Sequence, residues 1–259
     1  MDIKQIILKI KPIKYYVKGW KFFHNAHYND AQYKNDIEMT KTITRTDIIN
    51  FLLSLQQRKT SYAEIGVRNP DDNFNHIKAD VKYSIDPGVE FEENPVNFKM
   101  TSDMFFHKLS NGEILSKDTL FDVIFIDGLH LAEQVEKDIV NALHYIKPDG
   151  FIVLHDCNPP TEWHARESRT YYHTPAHGLW NGTTWKAFFN WRRNPSVFSC
   201  CIDTDWGVGI LSKSINIGQN TICENPFFEF KVLDDNRKAH LNLIDFDTLK
   251  KILTVKNSS

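Results

Sequence analysis

The chain has 259 residues, 41% of them hydrophobic and 13% aromatic, enough to bury the core of one α/β domain with appendages. A formal net charge of −2 lacks the basic excess that phosphate neutralisation demands, which argues against a nucleic-acid partner. Four cysteines (Cys157, Cys200, Cys201, Cys223), two adjacent and none in CxxC spacing, suggest neither a disulfide framework nor a zinc site and point to a reducing, cytoplasmic compartment. No run approaches the roughly 18 apolar residues of a spanning helix, so no transmembrane span is expected.

Residues 1–23 carry six lysines (Lys4, Lys9, Lys11, Lys14, Lys18, Lys21) against one acid, Asp2. Ile3, Ile6, Ile7 and Ile10 form one helical stripe, Pro12 breaks the run, and Ile13, Tyr16, Val17 and Trp20 form another. This predicts a basic, aromatic helical arm within 1–45, packed on the domain or on a second copy in a homo-oligomer rather than on a membrane surface, with residues 24–45 a polar loop or short helix. A helix opens at a Thr46 cap with Asp47 in its first turn and runs to about Gln57. Ser61-Tyr-Ala-Glu-Ile-Gly-Val67, Val81-Lys-Tyr-Ser-Ile-Asp86 and Val96-Asn-Phe-Lys-Met100 read as the first three strands.

Two continuous apolar runs follow, Phe121-Asp-Val-Ile-Phe-Ile-Asp127 and Gly150-Phe-Ile-Val-Leu-His-Asp156, of the kind that forms central parallel strands. Between them Leu131, Val135, Ile139, Ala142, Leu143 and Ile146 recur at helical spacing until Lys147-Pro-Asp-Gly150 stops the helix. A right-handed crossover then brings Asp127 and Asp156 to the carboxyl edge of the sheet, where open α/β sheets bind ligands. Residues 158–182 are irregular and rich in aromatic residues and histidine; His164, His173 and His177 read as loop residues, with acceptor binding or a lid as the sharper alternative. A short helix from Thr183 to Trp191 precedes two strands, 197–203 and 206–211, joined by a two-residue Thr204-Asp205 turn. The tail ends in a helix from Asp245.

Glu64 closes the first strand beside Gly66, and Asp86 ends the second, 22 residues after Glu64. A small residue at the first turn admits a ligand close to the backbone, and an acid about 20 residues on can bind a ribose diol. The absence of GxGxxG removes the pyrophosphate cradle that a dinucleotide needs but adenosylmethionine does not. His130 and His155 flank the strand-end aspartates and are candidate general bases.

Ala63-Glu-Ile-Gly-Val67, Ser84-Ile-Asp-Pro87, Thr101-Ser-Asp103, the Asp127 run through His130, Leu154-His-Asp-Cys-Asn-Pro159, Trp180-Asn-Gly-Thr-Thr-Trp-Lys186 and Asp203-Thr-Asp-Trp-Gly207 occur in an order that resembles class I S-adenosylmethionine-dependent methyltransferases. Within them the chain looks closest to the bacterial group found with sugar and polysaccharide gene clusters. The resemblance implies a Rossmann-like doubly wound sheet of order 3-2-1-4-5-7-6 with an antiparallel 6/7 hairpin, a methyltransferase domain over 46–213 and a C-terminal extension over 214–259. It also implies S-adenosyl-L-methionine as cofactor, bound by Glu64, Gly66, Asp86, Ser102, Asp103 and Asp127. Catalysis would fall to His130, His155 and Asp127. Asp127, Asp156 and Asn158 resemble the magnesium ligands of catechol-type O-methyltransferases, although Cys157 intervenes where that pattern has its amide. Two converging carboxylates would repel each other without a cation, which favours the metal. The expected reaction is O-methylation of a sugar or glycan-precursor hydroxyl. The alternatives are Mg²⁺-dependent methylation of a small phenolic acceptor, or a non-catalytic adenosylmethionine-binding scaffold.

Overall fold

The computed structural model describes residues 10–90 and 94–255. Lys11–Phe23 (α1) and Ala26–Met39 (α2) precede the domain proper, and Arg45–Ser54 (α3) leads into it. The sheet is built from Ser61–Ile65 (β1), Val81–Ile85 (β2), Phe121–Ile126 (β3), Ile146–Leu154 (β4), Phe198–Ile202 (β5), Val208–Ser212 (β6) and Leu243–Ile244 (β7). The helices between and after them are Ser102–Ser110 (α4), Ala132–Tyr145 (α5), Thr184–Arg192 (α6), Phe230–Asp235 (α7), Arg237–Leu241 (α8) and Phe246–Val255 (α9).

The strand order is β2-β1-β3-β4-β6-β5-β7: β1 to β4 are mutually parallel, β6 runs antiparallel to β4 and β5, and β7 pairs parallel with β5. This is the Rossmann-like α/β class expected, with the hairpin on the β4 side. It differs in detail at both edges. The third strand shrinks to a parallel bridge between Phe98 and Ile85. Pro95 has no N–H to give, and the Asn97 side chain takes the Ser84 N–H at 2.9 Å, so the ladder does not extend to the residues before Phe98. At the other edge the tail adds β7.

Alternation along each strand sends side chains to two helical layers. Ala63, Ile65, Ile124 and Ile126 pack with α4, α5 and α6 through Phe105, Ile139 and Phe188. Tyr62, Val123 and Phe125 pack with α3 and α9 through Ile49, Leu52 and Leu249.

Other boundaries moved for local reasons. Thr44 rather than Thr46 starts α3: Asp47 accepts from the Thr44 N–H (2.9 Å) and hydroxyl (3.0 Å), while the Thr46 hydroxyl turns to Asn73. Residues 26–39 form a full helix whose Asn25 cap accepts from the His27 N–H at 2.8 Å. Lys147 to Gly150 belong to β4, with an irregularity in the β3–β4 register, rather than ending α5. The hairpin loop spans residues 203–207, with Asp205, Trp206 and Gly207 at positive φ. Helix α1 leaves no residue buried within the chain, and the Ile3, Ile6 and Ile7 part of the arm's first stripe lies outside the described residues.

Candidate active site

The carboxyl ends of β1, β2, β3 and β4 open into a cavity of about 800 Å³, within the range of small-molecule sites. At one end Gly66 turns the chain with φ +91°, and a Cβ there would come within 2.2 Å of the Asp127 carbonyl oxygen. The turn therefore needs glycine both for its backbone and for its contact with the next strand end. Glu64 lines this end, its carboxylate accepting from Tyr62 Oη (2.6 Å) and Asn73 Nδ2 (3.0 Å); burial pushes it up to about 7. Asp86 borders the cavity after β2, half-buried and raised by that burial, with the Gly88 N–H held at 2.6 Å on Oδ1. Ser102 and Asp103 line a further wall, where Gln134 Nε2 donates to Asp103 (3.0 Å) and Asp138 (3.1 Å). Thr101, not Asp103, caps α4.

At the other end Asp127 and Asp156 converge as expected, and the cations between them belong to the chain itself. His130 Nε2 lies 3.3 Å from Asp127 and its Nδ1 2.9 Å from Asp156, the latter without the alignment of a hydrogen bond. His155 Nδ1 lies 3.2 Å from Asp127, and its Nε2 sits 3.1 Å from both Asp205 and Arg45 Nη1. Burial opposes the charge on each imidazole, but the surrounding carboxylates outweigh it and raise His130 to about 10 and His155 well above its ordinary value. In turn, against the cost of burial, His155, His130 and Arg45 hold Asp127 well below the carboxylate range, and the imidazoles hold Asp156 at about 2.

A segment from the irregular stretch locks this end. Trp180 stacks on His130 with ring centres 5.1 Å apart, Asn181 Nδ2 donates to Asp156 at 2.6 Å, and the Thr183 N–H donates to the His130 carbonyl at 2.8 Å. Gly182, at φ +63°, presses so close that a Cβ would reach within 2.1 Å of the same carbonyl. Asp156 itself adopts φ +61°, a left-handed conformation tolerated by aspartate and held here at the cavity floor.

Of the residues expected from sequence, Glu64, Gly66, Asp86, Ser102, Asp103, Asp127, His130, His155 and Asp156 all border this cavity. Asn158 does not join the two aspartates: its Oδ1 accepts from Arg237 at 2.6 Å and its Nδ2 donates to Asp203 at 3.3 Å. Asn181 supplies the amide beside Asp156 instead. His164 is buried rather than solvated, bonded to Thr161 (2.9 Å) and Asn35 (2.7 Å), and burial lowers it to about 3. Trp185 is core, whereas Trp180 and Trp206 line the cavity. Sequence reasoning missed Arg45 and Asp205, one at a helix start and one in a hairpin loop; both pair with residues more than 100 positions or a whole strand away, and no local spacing signals that.

Asp127, His130 and Asp156 each bring one donor atom within 4.8 Å of the others, and His130 Nδ1 is buried without a hydrogen-bond partner. This donor set fits a divalent cation.

Residues 50–157, under half of the chain, match the model of a family described as a methyltransferase domain. None of the curated proteins matches. Similar solved structures include a putative caffeoyl-CoA O-methyltransferase from Staphylococcus aureus, 16% identical, with 78% of this chain and 99% of that one covered and a TM-score of 0.45. A putative O-methyltransferase from Klebsiella pneumoniae is 13% identical over 73% and 90%, TM-score 0.44, and an O-methyltransferase from Bacillus cereus in complex with SAH is 14% identical over 73% and 91%, TM-score 0.41. Likenesses this distant carry nothing about chemistry. A methyltransferase-domain match over the part that builds both ends of the cavity is what the comparisons add.

Proposed function

We propose that the protein is an S-adenosylmethionine-dependent O-methyltransferase acting on a small hydroxylated acceptor, a sugar or glycan precursor. The observation that carries this reading is one continuous cavity with a Gly66 turn and Asp86 at one end and the Asp127–His130–Asp156 group at the other. Asp86 offers two acceptor oxygens to a ribose diol, a match of donors to lone pairs that no neutral side chain provides as well. Glu64 and the Gly66 backbone would hold the methionine end, and Ser102 and Asp103 would hold the adenine.

When bound, the cofactor supplies an electrophilic methyl group on sulfur. The chain has then to hold an acceptor oxygen in line with that methyl and take its proton, and positioning alone contributes a large share of such a rate. His155 is enclosed by Asp127, Asp205 and Arg45, with both ring nitrogens occupied, which suits orientation of Asp127 better than a base at the acceptor. His130 is the more open imidazole. Asp127, His130 and Asp156 act as a unit, their atoms lying within 3.3 Å of their neighbours, and the proton that the carboxylates hold on His130 has to leave before the unit can accept one from the acceptor. A divalent cation held by these three residues would lower the pKa of an acceptor hydroxyl, and the imidazole nitrogen in the set widens the choice from Mg²⁺ to Mn²⁺ or Zn²⁺.

Arg45, His130, Asn181 and the carboxylates at this end offer polar contacts to a polyhydroxyl acceptor, beside the rings of Trp180 and Trp206 on which a sugar face would stack. Calorimetric titration with adenosylmethionine, followed by methyl transfer from labelled cofactor to panels of nucleotide sugars and of phenols, tests both levels. Absence of cofactor binding would overturn the reading. Transfer to catechols alone would keep the chemistry and replace the acceptor.

A further inference from the structure

Helix α1 plays no part in the cavity and has no buried residue. Its apolar residues Ile13, Tyr16, Val17 and Trp20 follow one another at spacings of three and four and so share a face. That face is open: Tyr16 is 74% and Trp20 54% exposed. Lys11, Lys14, Lys18 and Lys21 repeat at the same spacing on a second face, and no acid occurs between residues 10 and 29. Phe22 and Phe23 meet the ring of Tyr28 at 4.4 and 5.8 Å, which fastens the end of the helix to α2 without covering the Ile13–Trp20 side.

We infer that α1 docks the protein on an anionic phospholipid surface, with Ile13, Tyr16 and Trp20 at the acyl boundary and the lysines among the headgroups. Two features favour lipid over a second copy of the chain. The exposed residues are mainly Tyr and Trp, whose rings carry a polar handle suited to a boundary between apolar and wet phases. A lysine row flanking an apolar stripe engages a bilayer through both faces at once, since the long stems reach up to phosphate while the rings go down. Two copies paired through their apolar faces would instead leave both lysine rows without an anionic partner. None of the described helices is long and apolar enough to cross the bilayer, so attachment would be peripheral. The arm also neighbours the cavity mouth: Tyr28, held by Phe22 and Phe23, donates from Oη to the His173 carbonyl (3.4 Å) and packs edge-on to His177 in the stretch that carries Trp180.

The inference is independent of the methyl-transfer reading and is tested without activity. Full-length protein is sedimented with vesicles of phosphatidylcholine alone and with vesicles containing about 30% phosphatidylserine, while its mass in free solution is followed by analytical ultracentrifugation. Co-sedimentation with the anionic vesicles only, weakened about tenfold or more by ~0.5 M NaCl, is the expected result. Tyr16→Ala/Trp20→Ala and Lys14→Glu/Lys21→Glu should each abolish it with an unchanged circular dichroism spectrum, because none of the four side chains is buried. Equal binding to neutral vesicles, no binding to either, binding that survives both double variants, or a dimer that the Tyr16/Trp20 variant dissolves would each overturn the assignment, the last in favour of a second copy.

Discussion

Strand β3 has an aspartate at each end, one buried and one partly exposed, and the two are neutralised by different chemistry. At the amino end Asp122 is sealed, with no side-chain exposure, and accepts from Lys147 Nζ (2.7 Å), Arg58 Nε (2.8 Å) and the Ser61 N–H (2.7 Å). Arg58 in turn forks onto Asp149 at 2.7 and 2.8 Å. At the carboxyl end Asp127 is answered by two imidazoles and a guanidinium, and it faces a cavity. Both carboxylates lie below the usual range because, against the cost of burial, nearby cations outweigh it. A depressed pKa therefore does not mark the site. What separates the two networks is the kind of partner, permanently charged throughout at one end and including two titratable imidazoles at the other, together with room for a ligand.

The contrast breaks most sharply under substitution at the carboxyl end. Asp156→Asn keeps a side chain that tolerates the positive φ and can still accept from Asn181, yet removes the charge. Turnover should fall about 10²–10³-fold, with adenosylmethionine affinity within about threefold of the parent. If a divalent cation serves this group, chelation should produce a loss of the same order in the parent enzyme, reversed by adding the metal back. Steady-state kinetics and calorimetry read both, and a fully active Asp156→Asn protein would put the chemistry elsewhere.

Asp122→Ala should do the opposite, lowering stability by about 2–3 kcal/mol while leaving the turnover of folded protein unchanged. The figure sits below that of a fully buried pair because Lys147 and Arg58 are themselves 22% and 38% exposed. The same residue sets an acid limb. Its pKa is lower folded than unfolded, so its contribution is present above the unfolded value of about 3.9 and is lost as pH falls through the folded one. Thermal melts between pH 2 and 6 should therefore show a shallower acid decline for Asp122→Ala than for the parent; parallel declines would remove Asp122 from the acid response.

The smallest expected effect is on cofactor affinity. If Asp86 accepts from the two ribose hydroxyls as proposed, Asp86→Ala should weaken adenosylmethionine binding by about 1–2 kcal/mol, on the order of tenfold, with little change in melting temperature. Unchanged affinity in a folded variant would take Asp86 out of the site.

The residues at the carboxyl edge were legible because periodicity and alternation fix which strand ends face one way, and that geometry brings Glu64, Asp86, Asp127 and Asp156 together before any side-chain detail is known. The failures share a cause. The catechol-type resemblance points to Asn158, but the chain leaves β4 through a left-handed residue that turns Asn158 toward Arg237, and the amide beside Asp156 comes instead from Asn181. Likewise Arg45 reaches the site from the first turn of α3, across the layer rather than along the strand. The third strand failed because a proline and a side-chain amide compete with the ladder, a contest that strand propensity alone does not register.

The glycine at position 66 has a consequence for redesign. Its missing side chain leaves the space that the Asp127 carbonyl fills, and the Asp127 N–H bonds back to the Ile65 carbonyl at 2.9 Å. The peptide that would greet the methyl donor and the peptide that carries the first reactive carboxylate thus lean on each other. An engineer who reshapes the donor end to accept a bulkier analogue by changing residue 66 would also displace the carboxylate at the far end. On the proposed reading, donor preference and catalytic alignment are mechanically linked at this point, and room for an altered donor would have to be found along the Asp86 and Ser102 walls instead.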